Sequence, residues 1–282
     1  MSTMLRTTAL STMLRTTALS TMLLGGLGCV DNTTPPGPPP ASAAVGCVPD
    51  RDGVITAAEL PVATDVALAY YTSPAGATRT IDLAVAGDPP RWDLSSEEPD
   101  DERVDLVATP LGAQWYADQF PGGQFVAAAG PGLDAIYHKD DAALWLHGTA
   151  STEPMPAGGR TLVRYTSPVP ALRLPLAVGD VDQTVAAISD GVVLGLPFLG
   201  EDRYAVEVVA AGRLDLPYVR FSPALLVRTQ VVRAASSGGA TTSRRSASFL
   251  FECFGEITRA DSQPDEPAAD FTVAASLRRL AL

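Results

Sequence analysis

Short runs of β-branched and aromatic residues, cut at close intervals by glycine and proline, fill this chain from residue 62 onward and leave no segment that reads as a long amphipathic helix. Residues 66–71, 79–85, 103–108, 124–127, 142–147, 161–165, 203–209, 225–233 and 248–253 carry this pattern. Between them lie turn-forming stretches at 87–90, 121–123, 130–132, 157–159 and 237–239. Strands of this length, separated by loops of this chemistry, predict an antiparallel all-β domain. Within 225–233, Leu226, Arg228 and Gln230 alternate with Val227, Thr229 and Val231, which predicts one face on a core and one partly wetted. The expected fold is mainly β, either an antiparallel sandwich or a strongly curved half-barrel. One short helix is expected after residue 55, where Thr56 and Glu59 have the spacing of a capping box.

The N-terminus has a different character. Residues 2–10 are repeated unchanged at 11–19, and a third copy begins at Ser20. Nine-residue copies are too short to stack as a solenoid, so this is a duplication and not a fold repeat. A start at Met13 would leave Arg15 as a charged n-region before a short apolar stretch, the layout of a secretory leader. That stretch is shorter than the roughly 20 apolar residues of a membrane-spanning helix. Without Arg6 and Arg15 the formal charge moves from −12 to −14, which opposes nucleic acid and anionic lipid as partners. The expected organisation is a signal peptide at 1–28, a proline-rich tether at 29–46, a loop with a short helix at 47–60, and the β domain at 61–282. An alternative divides the last part into two sub-domains near residue 165.

Three resemblances add to this. The residues Leu24, Gly26, Leu27, Gly28 and Cys29 resemble the lipobox of bacterial lipoproteins, which implies cleavage before Cys29 and a lipid on its sulfur. The chain has three cysteines, so a lipidated Cys29 leaves Cys47 and Cys253 as a pair, and an oxidising compartment would join them. Residues 48–59 resemble the calcium loop of EF-hands and dockerins. Asp50, Asp52 and Glu59 would supply carboxylates, Val54 its carbonyl, and Gly53 the turn, the oxygen set that a hard cation takes. The first loop position, normally Asp, is Val48, and the proline-rich tether leaves no entering helix; Asp52-Gly53 followed by Thr56 and Glu59 also reads as a plain turn and cap. Finally, residues 171–262 are similar to the half-barrel domains of periplasmic lipoproteins, through Pro175 to Gly179, Leu216-Pro217 and Phe254 to Ile257. That resemblance implies a curved sheet around an apolar concave face.

Catalytic signatures are missing from the sequence: no nucleophile elbow, zinc-protease helix, phosphate loop or dinucleotide fingerprint is present. The two histidines are His138 and His147. His147 follows Trp145 and Leu146 in an expected strand and reads as structural. Asp140 and Asp141 adjoin His138, but neighbouring strand residues point to opposite faces, which is poor geometry for a shared metal. The acidic run at 95–102 reads as a solvated loop. The expected function is a non-enzymatic, lipid-anchored protein of the bacterial cell envelope, on the periplasmic or surface face of the outer membrane. It would be held to the membrane by its lipid and bind a protein, an envelope polymer or an apolar ligand, with calcium as the one candidate cofactor. The alternative is an exported hydrolase with an unrecognised site.

Overall fold

The computed structural model describes residues 46–281. The leader, Cys29 and the rest of the tether lie outside the described residues. Fifteen strands form one sheet. In chain order they begin with β1 (Ala67–Thr72), β2 (Arg79–Thr80), β3 (Arg91–Asp93), β4 (Glu102–Val107) and β5 (Thr109–Pro110). Next come β6 (Phe125–Gly130), β7 (Leu133–Lys139), β8 (Ala143–Ser151), β9 (Leu162–Arg173) and β10 (Val181–Val193). The last five are β11 (Leu196–Leu216), β12 (Val219–Ala235), β13 (Thr242–Phe251), β14 (Gly255–Ser262) and β15 (Val273–Leu280).

From β5 to β15 each strand of the meander pairs with the next, and β15 then pairs with β1, which pairs with β4. After Ala108, β4 runs directly into β5. One continuous stretch of chain therefore bonds to β1 through residues 102–107 and to β6 through 109–110, drawing the two edges of the sheet together. The result is a nearly closed, barrel-shaped antiparallel sheet. Closure leaves few unpaired strand edges, which otherwise invite aggregation. The thinnest seam is between β9 and β10, where Val192 opposite Leu162 is the one paired position. β9 runs unbroken through residue 165 and pairs on its other side with β8.

The longest strands, β10 to β12, explain the curvature. Leu194 and Gly195 both take positive φ, 50° and 80°, the two-residue hairpin turn whose twist matches right-twisted strands. Bulges in β11 between Val208 and Ala210 and between Gly212 and Leu214 bend it around the ring. On the outer face of β11 to β15, a strap formed by residues 81–94 lays Ile81, Leu83, Trp92 and Leu94 against Leu214, Phe221, Leu226, Phe249 and Leu277. Gly212 permits this approach, because a Cβ there would sit 2.3 Å from the Pro90 carbonyl oxygen. The strap is fastened by buried Arg279, which donates to the Leu94 carbonyl at 2.8 Å and pairs with Asp101 at 2.6 Å.

The expected mainly β fold with a strongly curved antiparallel sheet is present, and the curvature carries on to near closure. Three features differ from the sequence expectations. The short helix is absent: residues 57–60 form one turn, with Leu60 N–H donating to the Thr56 carbonyl, and Pro61 prevents further winding. Of the run 79–85, two residues pair as β2, while Ile81 and Leu83 are buried as part of the strap. Strands β7, β10, β14 and β15, which fall outside the expected runs, are full members of the ring.

Candidate functional site

The segment 47–60 folds into one end of the barrel. Ile55 pairs with Leu176 through reciprocal backbone hydrogen bonds of 2.9 Å. With Leu60, it packs on Leu174, Leu176, Val206, Val208, Val227 and Leu250 of the inner wall. Cys47 is bonded to Cys253, in the turn between β13 and β14, with Cα atoms 5.6 Å apart. The loop is therefore a plug, seated by two apolar side chains and latched covalently.

Beside that latch is a group of carboxylates. Ligand atoms of Asp50, Glu59 and Glu252 lie within 4.8 Å of one another. Glu252, fully buried and adjacent to the disulfide, accepts the Arg51 amide at 2.6 Å and the Gly53 amide at 3.3 Å. It brings a carboxylate into a loop whose own first position, Val48, is apolar and 83% exposed. Glu59 also accepts from Thr56, at 3.1 Å from its amide and 2.8 Å from its hydroxyl, the capping-box contact made over a single turn. Asp52 is not part of the group: its carboxylate accepts the Val54 amide at 2.7 Å. Chemically, three converging carboxylates suit a hard cation such as calcium, with Asp50 and Glu59 as the more accessible ligands.

The barrel interior carries a second constellation. Val227, Ser248, Arg259 and Arg278 are successive cross-strand partners on the face opposite the strap. Glu256 pairs with Arg278 there and lies 3.5 Å from Arg259. Glu256 and Arg278 each keep 25% of their side-chain surface open and Arg259 keeps 35%, so this charged group is only partly covered. Burial alone would raise the Glu256 carboxyl, but the charges of Arg278 and Arg259 and hydrogen bonds from Arg278 and Ser248 hold it at about 2. Across the ring, burial pushes the Tyr137 hydroxyl up, and the charges acting on it are those of Arg259, Glu256 and Arg278. Further around, buried Asp202 takes a two-pronged contact from Arg233 at 2.7 and 2.6 Å and accepts the Tyr165 hydroxyl at 2.7 Å. The concave face is thus mixed, with apolar groups around Val163, Val169 and Ile188 and a charged wall opposite.

No protein-family model, curated protein or solved structure matches the chain.

The remaining candidates fall as follows. His138 and His147 meet across β7 and β8, with His138 Nδ1 2.6 Å from His147 Nε2. Asp140 caps the hairpin turn by accepting the Ala142 and Ala143 amides at 2.8 and 2.9 Å. Most of the acidic run 95–102 is exposed, but Asp101 is buried between Arg79 and Arg279. Sequence reasoning missed Glu252 as a neighbour of the loop, although pairing Cys47 with Cys253 brings the residue before Cys253 close to the residues after Cys47.

Proposed function

We propose that the chain is an exported, lipid-anchored protein of the bacterial cell envelope, attached through Cys29 at the outer membrane, which acts by binding an envelope protein, polymer or apolar ligand and not by catalysis. The observation that carries this reading is the Cys47–Cys253 bond, which joins residues 206 apart in sequence and belongs to an oxidising compartment. Pairing of these two leaves Cys29 as the one remaining cysteine, which suits a lipid attachment point. The binding role draws support from the charge arrangement: among the described residues, the interior carboxylates Glu256 and Asp202 are matched by arginines, and the two histidines contact each other. Calcium at Asp50, Glu59 and Glu252, with the Val54 carbonyl as a further loop position, would brace the plug that the disulfide latches.

Fractionation of cells producing wild type or Cys29→Ser, with radiolabelled fatty acid in the medium, tests the proposal. Wild type should sediment with membranes and carry label, whereas Cys29→Ser should be unlabelled and released with the soluble envelope fraction. Equal distribution of both, without label, would refute the anchor.

A further inference from the structure

The chain has two histidines, and the fold puts them in contact on the outer face of β7 and β8. Register explains how. His138 lies opposite Trp145, and a bulge that places Ile136 opposite Gly148 and Tyr137 opposite Leu146 leaves His147 as the extra residue of β8, turned toward His138. Both rings are held. His138 is stacked on the Trp145 indole, with centroids 5.9 Å apart and planes within 6°. Gly122 packs at the edge of the His147 ring, where a Cβ would sit 2.8 Å from Cε1.

We propose that His138 and His147 form a two-imidazole site for a divalent late first-row transition ion such as Zn²⁺ or Cu²⁺. Imidazole nitrogen selects this class, in contrast to the carboxylates at the plug, which select hard cations. Metal–nitrogen bonds of about 2.0–2.1 Å at a tetrahedral angle place two nitrogens roughly 3.3 Å apart, so the 2.6 Å pair need open by less than about 1 Å. Each ring binds through the lone pair of the facing nitrogen, Nδ1 of His138 and Nε2 of His147. In the free pair one facing nitrogen carries the bridging proton; on metal binding that ring takes its other tautomer, the proton passing through water to its remote nitrogen, so the neutral pair binds with no net release of a proton. Asp140, in the hairpin turn just after β7, adds negative charge near His138. Water completes the coordination shell.

The test is titration of the purified chain with Zn²⁺ and with Cu²⁺ in excess Ca²⁺, followed by calorimetry and by imidazole ¹⁵N NMR for Zn²⁺. One ion should bind per chain, and both imidazole signals should shift together. His138→Gln and His147→Gln should each weaken binding by at least about tenfold, whereas Glu59→Gln should leave it unchanged. Absence of one-equivalent binding, a shift of one ring alone, or undiminished binding by His138→Gln or His147→Gln would overturn the site and leave a simple hydrogen-bonded pair. The NMR measurement on wild type stands even where a variant fails to fold.

Discussion

Glu256→Gln isolates the charged wall of the barrel. Glutamine keeps the shape of the side chain and removes its charge, leaving Arg278 without its partner and Arg259 with Asp261 alone. The carboxyl is lowered from 4.5 to about 2 in the folded protein. A shift of that size corresponds to about 3 kcal/mol of stability at neutral pH. Because the folded value is the lower one, this contribution is fully present above the unfolded value near 4.5. It declines as the pH falls and is lost below about 2. Urea denaturation of wild type and Glu256→Gln at a series of pH values should therefore give curves about 3 kcal/mol apart at pH 7 that converge toward pH 2. Parallel pH profiles, or a difference below about 1 kcal/mol at pH 7, would refute the inward-facing ion cluster.

Other parts of the fold give equally direct tests. Ile55→Ala empties a fully buried position in the plug and should cost about 2–4 kcal/mol by chemical denaturation; a loss below about 1 kcal/mol would mean that the plug is not seated. Gly212→Val should lift the strap from the outer wall, because its Cβ collides with the Pro90 carbonyl and the Trp92 ring. Limited proteolysis should then cut between residues 81 and 94, and an unchanged digestion pattern would contradict the close approach. Calcium should release heat on titration into wild type and much less into Glu59→Gln or Glu252→Gln; silence in all three would remove the loop as a cation site.

Much of the β pattern is visible in the sequence because period-two alternation survives wherever a strand has one wet face, as in β11, where exposed Glu207 lies between buried Val206 and Val208. In β12 the expected wet face is absent, since Leu226 packs under the strap and Leu225 and Val227 under the plug. The pattern fails where burial departs from alternation. Ile81 and Leu83 look like strand residues, yet they serve the outer core from the part of the strap outside any strand, which joins the sheet only at β3, paired in parallel with β11. In β10, Ala186 and Ile188 point to the core while Val181 and Val185 remain exposed, which hides the inward face among apolar neighbours. Closure of the ring depends on residues 102–110 pairing on two sides, and nothing local records that. The loop at 47–60 was readable as a turn with calcium-type spacing, but its missing carboxylate comes from Glu252, about 200 residues away. Pro61 sets the limit of the expected helix, and its effect outweighs the capping box. The histidine pair was within reach: a hairpin turning at Asp140 and Asp141 brings His138 opposite Trp145 and so next to His147.

The redox state of Cys47 and Cys253 in the cell bears most directly on the proposal of an exported barrel with a latched plug. Closing a loop between residues 206 apart contributes about 5 kcal/mol in the chain-entropy treatment, so the bond should be both present and consequential. Cells would be quenched with an alkylating reagent under denaturing, non-reducing conditions and the purified chain digested for mass analysis. A Cys47–Cys253 linked peptide, with neither cysteine alkylated, is the predicted result. Alkylation of both as free thiols would contradict the latch and the oxidising compartment together.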